Sequence, residues 1–350
     1  MNKLKDKIIM ADTKKEHYVP RCYLRNFTLE NEKIQVFDKY KVQVRPQNIM
    51  DVAMENYFYD IKFNELIKLA EEDEMDRIKA DLMEIAQEND WGKILDILDE
   101  KYIEKHFSFL EGVYSKLSQR FIENSYNGNE WVIKNCFAFS EMDKELMSLF
   151  IAIQIIRTKT FRCTLADTIQ KLYQTMAYKM QTESADMLSK DDFEVEVNRD
   201  FVKLQHSSMI LDEEVAVGMA EVLNEHIWVM YVNKTNTPFY TSDTPVANIP
   251  HKYDEYMGYG GLRSEGIEIV FPLTPNLMIG MYERSTYSAI FSDRQFVVLT
   301  TKEQIEYYNR VQVINSYRCV FSSNDSFDLA KRMCDENPDL RHPQSRVQVS

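Results

Sequence analysis

The sequence predicts an α+β protein with a β-rich N-terminal segment, a long helical middle and a C-terminal antiparallel β-meander. Three observations carry that prediction. Short apolar runs precede Pro46, a spacing of three and four governs the chain from Ile103 to Phe121, and compact apolar runs broken by Pro and Asn return past His226.

At the start, Ile34, Val36 and Phe37 read as one strand and Val42 and Val44 as its hairpin partner, joined through Asp38–Lys41; Tyr57, Phe58 and Tyr59 close the β-rich unit. Helical periodicity begins near Phe63. Its clearest stretch is Ile103, Phe107, Leu110, Tyr114, Leu117 and Phe121, one apolar seam on a core helix. Met142, Leu146, Leu149, Phe150 and Ile153 give a second seam, Leu165, Ile169, Leu172 and Met176 a third, and Leu211, Val215, Met219 and Val222 a fourth. Beyond His226, strands are expected at Ile227–Val232, Phe239–Ser242, Ile267–Phe271, Leu277–Tyr282, Phe296–Leu299 and Cys319–Phe321. Pro272–Asn276 is the expected turn, and a helix is expected at Lys302–Val313. The 350 residues suit a single unit over 14–335, with sub-regions at 14–60, 63–226 and 227–335; residues 1–13 and 336–350 are expected to be flexible.

Composition excludes several classes of function. Only 9 glycines occur, four of them between Gly258 and Gly266, so neither a P-loop nor a dinucleotide-binding fingerprint can be written. The net charge is −14, and Asn64–Glu104 alone holds fourteen acids and five bases, a poor surface for duplex nucleic acid. Five scattered cysteines without CxxC spacing point to a reducing compartment with neither a disulfide framework nor structural zinc. The apolar patch at Ile8–Met10 is too short for a signal peptide, and no apolar run is long enough to span a membrane, so a cytoplasmic location is expected. Zincin, EF-hand and G-x-S-x-G motifs are missing, and the six histidines are unclustered; no metal and no cofactor is expected.

Three constellations could carry chemistry. In His17-Tyr18-Val19-Pro20-Arg21-Cys22-Tyr23-Leu24-Arg25-Asn26-Phe27, Pro20 keeps its predecessor extended and stands at the first position of a helical turn. His17 is then a candidate acid/base beside Arg21 and Tyr23, or a hydrogen-bonded histidine among packing residues. In the second, Gln154 and Arg157 share a helix face and Arg162 follows the helix end. The two guanidiniums are placed to grip a phosphate or carboxylate, or to pair with acids of the Asn64–Glu104 stretch. The third is Thr241-Ser242-Asp243-Thr244-Pro245-Val246, a strand end that presents Asp243 as a catalytic carboxylate or uses it in an Asx turn.

Taken together these motifs resemble the family called domain of unknown function 4238. The resemblance rests on His17-Tyr18-Val19-Pro20 with Arg21, Tyr23, Leu24 and Phe27, on Gln154, Arg157 and Arg162, and on Thr241-Ser242-Asp243 with Pro245 and Val246. Phe271-Pro272-Leu273 with Pro275, and Asn315 before Arg318, extend it across about residues 16–323. Thr244 stands where Asn is expected and Lys159 where Pro is expected. The resemblance implies a bacterial or phage-related soluble single unit and transfers no reaction; it groups distant motifs as candidates for one pocket.

If those motifs converge, His17, Arg21 and Asp243 are the expected catalytic groups, and Tyr23, Gln154, Arg157, Arg162 and Ser242 the expected substrate-binding ones. The expected activity is metal-independent hydrolysis of a phosphate-containing substrate, a hydrolase or nuclease of phage-defence or toxin-like type. The substrate would be a small anion or single-stranded nucleic acid, with no membrane partner. The alternative is a non-catalytic module that binds an anion or a peptide.

Overall fold

The computed structural model describes residues 15–28, 30–59, 102–126, 130–180, 193–253 and 260–342. The expected helical onset near Phe63 and the acidic stretch, apart from its last three residues, lie outside these residues.

The N-terminal segment is β-rich as expected. Strand β1 (Lys15–His17) pairs antiparallel with β4 (Met54–Asn56), and β2 (Lys33–Asp38) forms a hairpin with β3 (Gln43–Asn48). Asp38 builds the hairpin connection by accepting the amides of Tyr40 and Lys41 at 3.1 and 3.3 Å. Pro46 is tolerated because β3 is an edge strand. Tyr57–Tyr59 form a turn after β4 rather than a strand. Helix α1 (Arg21–Leu24) follows Pro20, whose extended ψ of 140° places it just outside the first turn, and a 3-10 turn continues to Phe27.

The helical middle comprises α2 (Tyr102–Tyr126), α3 (Glu130–Asn135), α4 (Glu141–Ile156), α5 (Lys159–Lys179), α6 (Arg199–Leu211) and α7 (Glu213–Glu225). Phe107, Tyr114, Leu117 and Phe121 bury the α2 seam as its spacing predicts. Side-chain caps start most of the others: Ser140, Thr158, Asn198 and Asp212 each accept an amide of the first turn. The α4 seam is rotated from the expected one. Met142 and Leu146 are 70% and 40% exposed, while Lys144, Met147, Ser148, Ile151 and Gln154 face inward. Polar residues with built-in partners occupy that face, so apolarity alone marks the wrong stripe. Helix α5 forms as predicted, yet buries none of its side chains fully; Leu172 and Met176 are about half exposed.

Two sheets organise the remainder. The larger has the order β10-β5-β9-β8-β7, from β5 (Ile227–Asn233), β7 (Ala247–Pro250), β8 (Ile267–Thr274), β9 (Leu277–Tyr282) and β10 (Gln295–Leu299). Strands β7, β8 and β9 make an antiparallel meander whose last turn is Pro275–Asn276, the end of the expected Pro272–Asn276 turn, because β8 runs on to Thr274. Strand β5 adds antiparallel to β9, but β10 lies parallel to β5, an arrangement an apolar run cannot announce. Both faces of the central strands are covered. Trp228, Met230, Ile269, Phe271, Ile279 and Met281 pack into the main core with α2, α4 and α7, while Val229, Tyr231, Val270 and Met278 pack on the other face. Helix α9 (Lys302–Asn315) covers that second face through Ile305, Tyr308 and Val311 and starts with a Thr301–Gln304 capping box. A short helix, α8 (Arg284–Tyr287), precedes β10.

The smaller sheet has the order β3-β2-β11-β6, from β6 (Thr241–Ser242) and β11 (Cys319–Ser322) added to the N-terminal hairpin. Helix α10 (Asp328–Glu336) packs Leu329, Ala330, Met333 and Cys334 against Phe37 and Val320. Residues 337–342, expected to be flexible, turn back onto α10, where Arg341 donates to the Cys334 carbonyl at 3.1 Å.

Candidate functional site

The three constellations meet at one junction, held largely through backbone atoms. Arg157, at the C-terminal end of α4, donates to the His17 carbonyl at 2.6 Å and to Glu111 at 3.1 Å, and its guanidinium lies 4.0 Å from the Phe107 ring centroid. Gln154, one turn earlier, donates to the Tyr18 carbonyl at 3.1 Å. The motif that opens the chain is thus fastened to α4 by its own main chain. Burial works against the Arg157 charge, but Glu111 and Tyr59 outweigh it and raise its pKa. The partner acid is Glu111 of α2; the Asn64–Glu104 stretch, apart from its last three residues, lies outside the described residues.

The imidazole of His17 faces the Ile49 carbonyl at 3.2 Å. Burial, aided by the nearby Arg21 and Arg157 charges, lowers its pKa to about 4, so it is neutral at pH 7. Among the described residues, Arg21 itself pairs with Glu32, at 3.8 Å on the surface. Arg162 donates to His206 Nδ1 at 2.9 Å and stacks 3.6 Å from the Phe58 ring centroid, while His206 Nε2 donates to the Ile156 carbonyl at 2.7 Å. Both ring nitrogens of His206 are therefore committed in the neutral form, and burial beside Arg162 lowers its pKa to about 3.

The strand-end residues are equally engaged. Asp243 is buried and accepts the amides of Tyr317, Arg318 and Cys319 at 2.8, 2.8 and 2.7 Å. Burial pushes its carboxyl above the usual range, opposed by those amides and by Lys39. This is neither the expected orienter of His17 nor an Asx turn: among the described residues the two side chains share no hydrogen bond, and Asp243 clamps the segment that enters β11. Ser242 donates to Gln312 at 2.8 Å, and Gln312 donates to the Pro245 carbonyl at 3.0 Å. Tyr23 donates to the Pro272 carbonyl at 2.7 Å and stacks on Phe271 with centroids 5.1 Å apart. Tyr23 and Thr241 join their hydroxyls at 2.6 Å, a direct link between the first and third motifs, and the Tyr18 hydroxyl is raised well above its usual pKa by burial and then by the Asp243 charge.

Beside this junction opens a cleft of about 680 Å³ between the start of α5, the β6–β7 segment and the end of α9. Gln154, Ile155, Thr158, Phe161, Thr244, Val246 and Asn248 form much of its lining, with Gly260, Gly261 and Asn315 at its rim. Thr160 and Thr244 join their hydroxyls across it, and Asn248 donates to the Gly260 carbonyl at 3.0 Å. None of the described residues that line it is charged. A hollow of about 50 Å³ adjoins it, sharing Thr160 and Thr164 and reaching Cys163 and Tyr317. Such volume with a mostly apolar wall and a few fixed polar groups suits binding of a small ligand or a chain segment.

Sequence reasoning gave no binding role to Ile155, Thr158, Thr160 and Phe161, which lie within the Gln154–Arg162 stretch, or to Thr244 within the strand-end motif, because isolated hydroxyls carry no spacing signal; Thr164 and Asn248 fell outside the motifs. It also missed a polar network on the opposite face of the larger sheet. Buried Glu268 accepts from Tyr282 at 2.6 Å and from His251 at 2.8 Å, and Tyr282 bonds Tyr231. The hydrogen bond to Glu268 raises the His251 pKa. Among the described residues no group of three or more metal-ligating side chains occurs, and no helix is long and apolar enough to cross a membrane. No curated protein and no solved structure matches the chain. The sequence model of the family described as protein of unknown function (DUF4238) matches residues 15–326, every described element from β1 to β11, and the chain belongs to that family.

Proposed function

We propose that the chain is a non-catalytic binding module that receives a peptide segment in the cleft beside the motif junction. The supporting observation is the cleft's lining of hydroxyls, carboxamides and apolar side chains, without a charged group among the described residues. A peptide offers the same mixture of uncharged donors, acceptors and apolar surface, whereas a phosphate substrate needs cations or a metal where its charge lies. The groups expected to act on phosphate are engaged within the fold: Arg157 with the His17 carbonyl and Glu111, Arg162 with His206, and Asp243 with three amides.

Selection of a random peptide library on the immobilised protein tests the reading. Bound peptides are expected to lose affinity for Thr164→Trp, which fills the cleft from the half-buried second turn of α5, while the melting temperature stays within a few degrees. Cleavage of a single-stranded oligonucleotide or a chromogenic phosphodiester, abolished by His17→Ala at unchanged melting temperature, would overturn it in favour of a hydrolase.

A further inference from the structure

We infer that the inner end of the cleft is a subsite for a carboxamide group, read by Gln154 Oε1 as acceptor and by the first-turn amides of α5 as donors. The inference rests on the peptide-binding reading and specifies which atoms of the ligand are recognised.

Gln154 lines the cleft and is only 1% exposed. Its orientation follows from chemistry: the atom 3.1 Å from the Tyr18 carbonyl must be the amide nitrogen, because a carbonyl accepts only. The other terminal atom is then Oε1, and among the described residues it has no hydrogen-bond partner. A buried acceptor left unmade costs about 1–3 kcal/mol, so this position favours any ligand that brings an N–H to it.

The donors come from α5, 21 residues long, whose N-terminal end forms the same wall through Thr158, Thr160 and Phe161. Thr158 caps this helix by accepting the amide of Phe161 at 3.2 Å. The amides of Lys159 and Thr160 precede any intrahelical acceptor and carry the positive end of the helix dipole. An anion would suit those amides alone but would be repelled by the Oε1 lone pairs. A carboxamide satisfies both, its oxygen taking an α5 amide and its N–H meeting Gln154. Phe161, Ile155 and Val246 supply the apolar wall for whatever carries the group.

Four matched probes test this: benzamide, acetophenone, benzoate and benzamidine, titrated by ligand-observed NMR. Benzamide is expected to bind wild type about tenfold more tightly than acetophenone, the affinity worth of one hydrogen bond to a buried acceptor. Gln154→Met is expected to remove that difference. If the variant melts early through loss of the Tyr18 contact, the benzamide-to-acetophenone ratio in wild type decides alone. Equal binding of benzamide and acetophenone, lost in Thr164→Trp, would overturn the subsite and keep the cleft. Preference for benzoate or benzamidine would overturn both the subsite and the uncharged character of the ligand. No binding, or binding that survives Thr164→Trp, would overturn the peptide-binding reading itself.

Discussion

Buried His206 has its two nitrogens committed to Arg162 and to the Ile156 carbonyl, and so must stay neutral to keep both bonds. Its pKa falls from 6.5 to about 3 on folding, so below pH 6.5 the unfolded chain binds a proton that the folded chain refuses. Stability is therefore complete above that pH and is lost as pH falls toward 3, by about 1.4 kcal/mol per unit. His17, lowered to about 4, adds a second loss of the same sign. Urea midpoints measured from pH 7 to pH 4 are expected to fall steeply in wild type and less steeply in His206→Gln. Asp243→Ala leaves three buried amides unpaired and is expected to cost about 3 kcal/mol or more, read as a lower urea midpoint with an unchanged slope. Glu268→Gln removes the negative partner of His251, so its imidazole is expected to titrate at lower pH by NMR than in wild type. His17, Tyr23, Gln154, Arg157, Arg162, Ser242 and Asp243 all stand out in the sequence as a set. Their roles do not, because their partners are largely main-chain carbonyls and amides, which every residue possesses and no motif spells.

Elements were legible to the degree that packing followed apolar spacing. Helix α2 shows its seam in the sequence because its buried face is aromatic and aliphatic. Helix α4 hides its own, since Lys144 on the inward face is satisfied by Asp293 at 2.9 Å and by the His226 carbonyl at 2.8 Å. Strand β7 gave no signal: it is four residues long, ends in proline and buries little beyond Ala247. The parallel placement of β10 was equally silent, because strand direction comes from connections and not from composition. In β9, Gly280 occupies a position where only hydrogen fits. A β-carbon there would lie 2.7 Å from Tyr231 and 3.0 Å from Tyr282, the two rings that carry the Glu268 network. Gly280→Ala is expected to destabilise by about 1–3 kcal/mol through overpacking, seen as a lower melting temperature and an altered His251 titration.

At the scale of the molecule, the two ends of the described chain are interleaved. Strand β2 pairs with β11 through Phe37 opposite Val320 and Val36 opposite Phe321. Arg318 grips Asp38 at 2.6 Å, and buried Lys39 donates to the carbonyls of Val313 and Ser316 at 3.0 and 2.8 Å. The sequence contains these residues but not their pairing, since contacts across most of a chain leave no local trace. A fragment beginning at residue 102 lacks the central strand of the smaller sheet and is expected to show no cooperative unfolding transition, whereas the full chain loses both sheets in one.

The β2–β11 pairing also sets an order of events during synthesis. The hairpin of β2 and β3 leaves the ribosome with one hydrogen-bonding edge of β2 open, and the strand that closes it emerges only after the 280 residues that separate Asp38 from Arg318. All of that intervening stretch must be made before the edge is covered, and a contact so distant along the chain forms slowly. The nascent protein therefore spends its longest interval with a bare strand edge facing its surroundings, the condition in which neighbouring chains join sheets that were meant to close on themselves.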